Sequence, residues 1–328
     1  MASGITHMLL MKNLPNELPD GKLKMIIFSG IHFLQVGAVA PDLPYASIAD
    51  DDFFLTSQSD LADKFHYEMT NEVPTSAINE IKAQKSQLSP KELRYNFCFF
   101  LGYISHLIAD GIIHPFVRDK VGDYKENQTA HRVLEMQLDV LYFHHLTKRT
   151  GNPIQLRYSQ INKELINLNK SNYSETKKVI ELFSQKIKEV YNMDCSVDMI
   201  LGWIKGLQRM FSLAGDDYPE IFRGIPFIND FLFSNYQELL SKYDSILSLE
   251  KTTKDGRPQN FLKVNRVHFF YDIIPHYYKT FIPIAQKAYD FIYSEGLPLT
   301  ENDIAPIDLD TGRMIANNDL DIIPKYWS

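Results

Sequence analysis

The stretch FFLGYISHLIADGIIHPFV, residues 99–117, reads as a mostly apolar helix, yet His106, Asp110 and His114 interrupt it at intervals of four. Four residues make slightly more than one helical turn, so side chains at i, i+4 and i+8 project from one face. Burying two imidazoles and a carboxylate along that stripe costs several kcal/mol unless each finds a partner. A metal ion supplies that partner to all three at once, and the question is whether the rest of the chain offers further ligands.

Helical periodicity prevails along most of the sequence. Residues 22–36, 91–119, 128–147, 157–169, 174–191, 196–213, 231–249, 262–272 and 276–294 carry apolar residues at three- and four-residue spacing. Alternating β-branched runs bounded by tight-turn pairs are scarce. Gly, Pro and charge mark breaks at 36–52, 149–155, 214–220 and 250–260, and the stretch from 294 onward has no sustained period. The expected fold is all-α: one domain over 1–292, with the polar constellation in 1–147 and further helices in 148–292, and an irregular tail over 293–328 packed on its surface. No repeat or low-complexity tract appears.

Composition narrows the function. Lys and Arg number 34 against 41 Asp and Glu, a net charge of −7, which argues against a broad footprint for duplex nucleic acid. A small anionic substrate stays open, because a bound cation dominates its local field. Two cysteines, Cys98 and Cys195, build no disulfide framework. No stretch is read as a membrane span. The segment MASGITHMLLMKNLPNE lacks a basic region followed by a long apolar run, so the expected location is cytoplasmic, or secreted if a leader precedes Met1.

Six of the ten histidines lie in the first 131 residues, beside carboxylates placed as metal ligands. In chain order the constellation is His7, Asp42 in the Pro-Asp pair, His66, His106, Asp110, His114, and then His131 and Glu135, again four apart on a helix, with Asp139 one turn further. Nitrogen and carboxylate oxygen without thiolate suit zinc, and eight candidates are too many for one tetrahedral ion but enough for two or three.

The ordered set His, Pro-Asp, His, His-x-x-x-Asp, His, His-x-x-x-Glu resembles the zinc-dependent phospholipase C family, which includes the catalytic domain of glycosylphosphatidylinositol-specific phospholipase D. More distantly it is similar to the zinc-dependent single-strand nucleases. The resemblance covers residues 1 to about 147. It implies an all-helical fold with a helical C-terminal extension, a zinc cluster in a cleft, and hydrolysis of a phosphodiester by zinc-activated water. Position by position, it assigns Asp42, His66, His106 and Asp110 to one zinc and makes Asp110 a bridge to a second, which also takes His7 and the N-terminal residue. His114, His131 and Glu135 hold the third, and Asp42 matches the proposed general base. The spacing Asp110-x-x-x-His114-Pro115 looks like the glycosylphosphatidylinositol-specific branch; the bacterial phosphatidylcholine-cleaving enzymes place that histidine later. If the initiator Met is removed before the small Ala2, the free amine of Ala2 is the expected N-terminal ligand, with His7 five positions on. The implied substrate is a phospholipid or another phosphodiester, with transient contact at a membrane surface; the head group and the oligomeric state stay open.

Two alternatives share these residues. One is a single-strand nuclease or 3′-nucleotidase, which calls for stacking aromatics and a basic groove. The other is a non-catalytic, metal-stabilised helical protein that binds a lipid or a partner. Elsewhere, Asp139 is read as a carboxylate that orients a ligand histidine, and His32 as structural. His268, Asp272 and His276 repeat the spacing of four, but Pro275 disrupts the helix between the last two, so the trio reads as packing. DLDTGRMIANND mimics a calcium loop without its ligand spacing and reads as a solvated loop. Arg118, Lys120 and Lys125 read as a charged loop rather than a phosphate grip.

Overall fold

A computed structural model of the chain describes residues 4–49, 58–149, 173–214, 236–250 and 266–316. Its helices are α1 (Gly4–Glu17), α2 (Lys22–Ser29), α3 (Ile31–Gly37), a 3₁₀ helix (Ala40–Ala49), α4 (Ser59–Tyr67), α5 (Glu72–Ala83), α6 (Pro90–Val121) and α7 (Tyr124–Arg149), followed by α8 (Tyr173–Tyr191), α9 (Val197–Ala214), α10 (Tyr236–Leu240), α11 (Tyr243–Leu247) and α12 (Ile274–Tyr293). Two minimal antiparallel pairs complete the described part: β1 (Ser248–Glu250) with β2 (Arg266–His268), and β3 (Ile307–Asp308) with β4 (Arg313–Met314). The fold is all-α, as the periodicity predicts. The helix predicted over 157–169 lies outside the described residues.

Helix α6 is the axis on which the others pack. Ser89 and Glu92 start it with reciprocal side-chain-to-backbone bonds, and Pro90 sits at the first helical position, where its missing N–H costs nothing. Gly122, at φ +94°, ends it. Every residue from Tyr95 to Val117 is buried, so the stripe is enclosed on all sides by α3, α5, α7, α8 and α12. By length and composition α6 could cross a membrane, contrary to the reading that no stretch is that long; its whole apolar window is buried among the other helices, as in the core helix of a globular protein.

One close approach positions the site. A Cβ on Gly102 would lie 2.2 Å from the Leu34 carbonyl oxygen, and one on Gly37 would lie 1.9 Å from the Phe99 oxygen. The α3 and α6 backbones therefore touch directly, and that contact brings the Ala38 carbonyl to within 2.9 Å of His106 Nδ1.

The structure departs from the sequence reading in several segments. The predicted helix over 22–36 breaks at Gly30 into α2 and α3. The 36–52 break holds a 3₁₀ helix, which carries Asp42. Helices α1, α4 and α5 were not among the predicted segments. The 231–249 region gives two short helices and a strand, and 262–272 gives β2 and a π turn over Phe269–Ile273 in the part described. The tail is not irregular throughout: Leu299, Ile304 and Leu309 are buried, and DLDTGRM forms the β3–β4 hairpin rather than a solvated loop.

Candidate metal centre

Five elements converge on one buried cluster. His7 comes from α1, Asp42 from the 3₁₀ helix, His66 from α4, His106, Asp110 and His114 from α6, and His131 and Glu135 from α7. All eight side chains are buried. Seven of the eight stand close together around Asp110, and His131 lies one turn before Glu135 on α7.

The two oxygens of Asp110 face different partners. Oδ1 lies 3.0 Å from His7 Nε2 and 3.6 Å from His114 Nε2. Oδ2 lies 3.1 Å from His106 Nε2 and 3.7 Å from His66 Nε2. Asp42 Oδ1 is 3.3 Å from His66 Nε2, and Glu135 Oε1 is 3.5 Å from His114 Nε2. His7, Asp42 and His106 form one grouping of ligand atoms compact enough for an ion; His66, His106 and Asp110 form another.

The chemistry of these donors fits a cation. His106 Nδ1 lies 2.9 Å from the Ala38 oxygen and His66 Nδ1 lies 2.7 Å from the Ala62 oxygen. A carbonyl only accepts, so each Nδ1 carries a proton, and Nε2 is the atom left to bind either a second proton or a metal ion. Those two Nε2 atoms lie 3.4 Å apart and both face the Asp110 carboxylate. Lone pairs directed at one another and at an anion repel unless a proton or a metal ion lies among them. Both nitrogens of His7 and of His114, both oxygens of Asp110 and one oxygen of Asp42 are buried without a hydrogen-bond partner, an arrangement costly for polar atoms in a protein interior.

Protonation equilibria show the same competition. Burial presses the His106 imidazole down, but Asp110 and Asp42 outweigh it and lift its pKa to about 9, so without a metal ion a second proton takes the place on Nε2 that a cation would fill. At His114 burial wins and the pKa falls to about 3, so that ring is neutral and free to coordinate. Burial raises Glu135 well above the ordinary carboxylate range. Asp110 goes well below its usual value, because three histidines outweigh its burial.

On α7 the carbonyl rule gives a different donor atom. His131 Nε2 lies 2.6 Å from the Gly122 oxygen, so this ring presents Nδ1. A kink at Asn127 separates the first turn of α7 from the turn that bears His131. Asp139, buried further along α7, accepts bonds from the Thr6 N–H at 2.9 Å and from the Thr6 hydroxyl. It thereby fixes the backbone immediately before His7, a role that sequence spacing alone does not reveal. The Ala38 and Ala62 carbonyls and Thr6 are the supporting groups that the sequence reading missed; only the proximity of Gly37 to the Pro-Asp pair hints at the first. Met1 and Ala2 lie outside the described residues.

The other singled-out residues sit elsewhere. His32 is half-buried on α3, outside the cluster. Arg118 belongs to α6 rather than to a solvated loop, and it pairs with Asp123 at 2.6 Å and with Asp310 at 2.5 Å. Lys120 donates to the Ser248 carbonyl at 2.7 Å, and Lys125 is exposed. Asp272 accepts the His268 N–H at 2.7 Å, and His268 Nδ1 accepts the Phe270 N–H at 3.1 Å, so both cap the π turn. His276 is exposed on the first turn of α12. Replacing His268 and His276 together by Gln is expected to leave the zinc content per chain unchanged; loss of one equivalent, read by atomic emission, would reveal a second site.

A family model described as zinc dependent phospholipase C matches residues 6–195. The chain belongs to the zinc-dependent phospholipase C family. The matched stretch contains all eight candidate side chains and reaches well past residue 147, where the sequence resemblance ends. No curated protein and no solved structure matches the chain. Membership of the zinc-dependent phospholipase C family agrees with the donor set, nitrogen and carboxylate oxygen without a thiolate.

Proposed function

We propose that this protein is a zinc-dependent phosphodiesterase of the phospholipase C type that holds two or three zinc ions. The observation that carries this reading is Asp110, a fully buried carboxylate with each oxygen turned to a different pair of imidazole nitrogens. In this reading Asp42, His66, His106 and Asp110 hold one ion. Asp110 and His7 hold a second, together with the N-terminal amine once Met1 is removed. His114, His131 and Glu135 hold the third.

Zinc bound there supplies positive charge against an anionic phosphodiester and lowers the pKa of an attacking water. The chain's own residues do the rest. Asp42 lies 3.3 Å from His66 Nε2 and is the general base that takes a proton from that water. The Ala38 and Ala62 carbonyls keep His106 and His66 in the tautomer that coordinates. Asp139 holds Thr6, and so His7, against α7. A phospholipid is the substrate class favoured by family membership, with brief contact at a membrane surface.

The test is turnover by purified full-length protein with zinc, offered p-nitrophenylphosphorylcholine, phospholipid vesicles and single-stranded DNA in parallel. The expected result is release of phosphorylated head group from lipid, abolished by chelator and restored by zinc. Cleavage of DNA alone would point to a nuclease. Bound zinc without turnover of any phosphodiester would leave a metal-stabilised binding protein.

A further inference from the structure

Helix α4 delivers His66 from a short scaffold. It spans nine residues, Ser59–Tyr67, too few to be stable in isolation. Its last carbonyls have no partner within the helix. The His66 carbonyl is satisfied from far along the chain: the Leu309 N–H donates to it at 3.0 Å, and Leu309 is itself fully buried. Just beyond α4, Thr70 Oγ1 donates to the Ile307 oxygen and Asn71 Nδ2 to the Ile304 oxygen, both at 2.9 Å.

The same segment also reaches α6. A Cβ built on Gly111 would lie 2.4 Å from Ile307 Cδ1, so Ile307 fills the space a side chain would take, one residue after Asp110 and three before His114. One turn beyond His114, Arg118 pairs with Asp310 at 2.5 Å, both side chains nearly buried. The turn between β3 and β4 is held by the Asp308 carboxylate, which accepts the N–H groups of Asp310 and Thr311 at 2.9 Å, with Gly312 at φ +66°. The segment from Ile304 to Arg313 lies more than 100 residues past the end of the family-matched stretch.

We propose that Ile304–Arg313 is a positioning element of the metal centre, bracing α4 at His66 and α6 at Gly111 and Arg118 so that His66 and Asp110 keep the spacing a shared ion needs. The family stretch supplies the donors, and the hairpin beyond it fixes two of their helices relative to one another. Displacing the hairpin should loosen the ion between His66 and Asp110 without removing any ligand.

The inference rests on the metal reading and not on the choice of substrate. Its test uses full-length protein loaded with zinc and, separately, with cobalt(II). Three variants are compared with wild type: Gly111→Ala, which drives a methyl group into Ile307; Gly111→Ala with Ile307→Ala, which makes room for that methyl; and Asp310→Asn, which keeps size but removes the charge facing Arg118. The readouts are the rate of zinc transfer to a chromophoric chelator and the cobalt d–d spectrum. Asp310→Asn should speed release of one zinc by about tenfold or more, the usual scale for groups that support metal ligands, with a shifted cobalt band; Gly111→Ala, which meets only the tip of the Ile307 side chain, should shift both readouts in the same direction by less. The double variant should recover most of that loss, because the two sites share one contact. Unchanged release and an unchanged spectrum in both single variants would overturn the proposal, as would a lowered melting temperature with release unaffected. Wild-type protein that takes up no zinc would overturn the metal reading itself, and zinc binding without phosphodiester turnover would sink only the hydrolase reading.

Discussion

Asp110→Asn is expected to reduce phosphodiester turnover to the level of the zinc-free protein and to lower zinc content by more than one ion per chain. The carboxylate lies between two pairs of imidazoles, with His7 and His114 on one oxygen and His66 and His106 on the other. An amide carries no charge and turns an N–H₂ donor toward one of those pairs, so the variant loses attraction for cations on both sides at once. Asp42→Asn is expected to be milder in metal content, since Asp42 faces the His66 side. Its activity should still fall by roughly 10²–10⁴-fold, the usual contribution of a general base. Zinc content read by atomic emission, alongside turnover, checks both expectations; equal zinc in the two variants would contradict the bridging role of Asp110.

The second large effect falls away from any ligand. Gly102→Ala should cost about 3 kcal/mol or more of unfolding free energy, at or beyond the upper end of ordinary overpacking. The added methyl would meet the Leu34 carbonyl oxygen at 2.2 Å and the Ala38 nitrogen at 2.7 Å, and backbone atoms cannot rotate aside as a side-chain tip can. Separating α3 from α6 would also draw the Ala38 carbonyl off His106 Nδ1, so zinc affinity should drop along with stability. Gly21→Ala is the control, because no atom lies within 4 Å of its added carbon; its effect should stay near 0.5 kcal/mol, as at ordinary surface positions. Urea unfolding of the two zinc-free variants makes the comparison, and equal stability would show that the close approach of α3 and α6 is not needed.

Much of the site is legible from sequence because helical spacing is geometric. His106, Asp110 and His114 share a stripe whatever surrounds them, and so do His131 and Glu135. Long helices such as α8 and α9 announce themselves through apolar positions that recur over several turns, and α6 through the length of its apolar run. The short pieces do not. Helix α4 sets its four buried residues at helical spacing but runs for only nine positions, barely more than two turns, and α1 is buried nearly all round from Ile5 to Met11, so it shows no polar face. Gly30 stands inside an apolar run that continues on both sides, which hides the break between α2 and α3. Asp139 was legible as a supporting carboxylate, but that it holds Thr6 depends on how α1 crosses α7, a tertiary fact with no local signature. The hairpin at Ile307–Met314 was hidden for the same reason: its partners lie near residues 66–71 and 111–118, almost 200 positions or more away.

The most direct measurement is an anomalous difference map from zinc-grown crystals of the full-length protein, collected on both sides of the zinc absorption edge. The expected map shows two or three peaks in the buried cluster, with one in contact with Asp110 Oδ1 and another with Oδ2. A map with no zinc peak touching Asp110, or with zinc only at surface histidines, would contradict the metal centre described here.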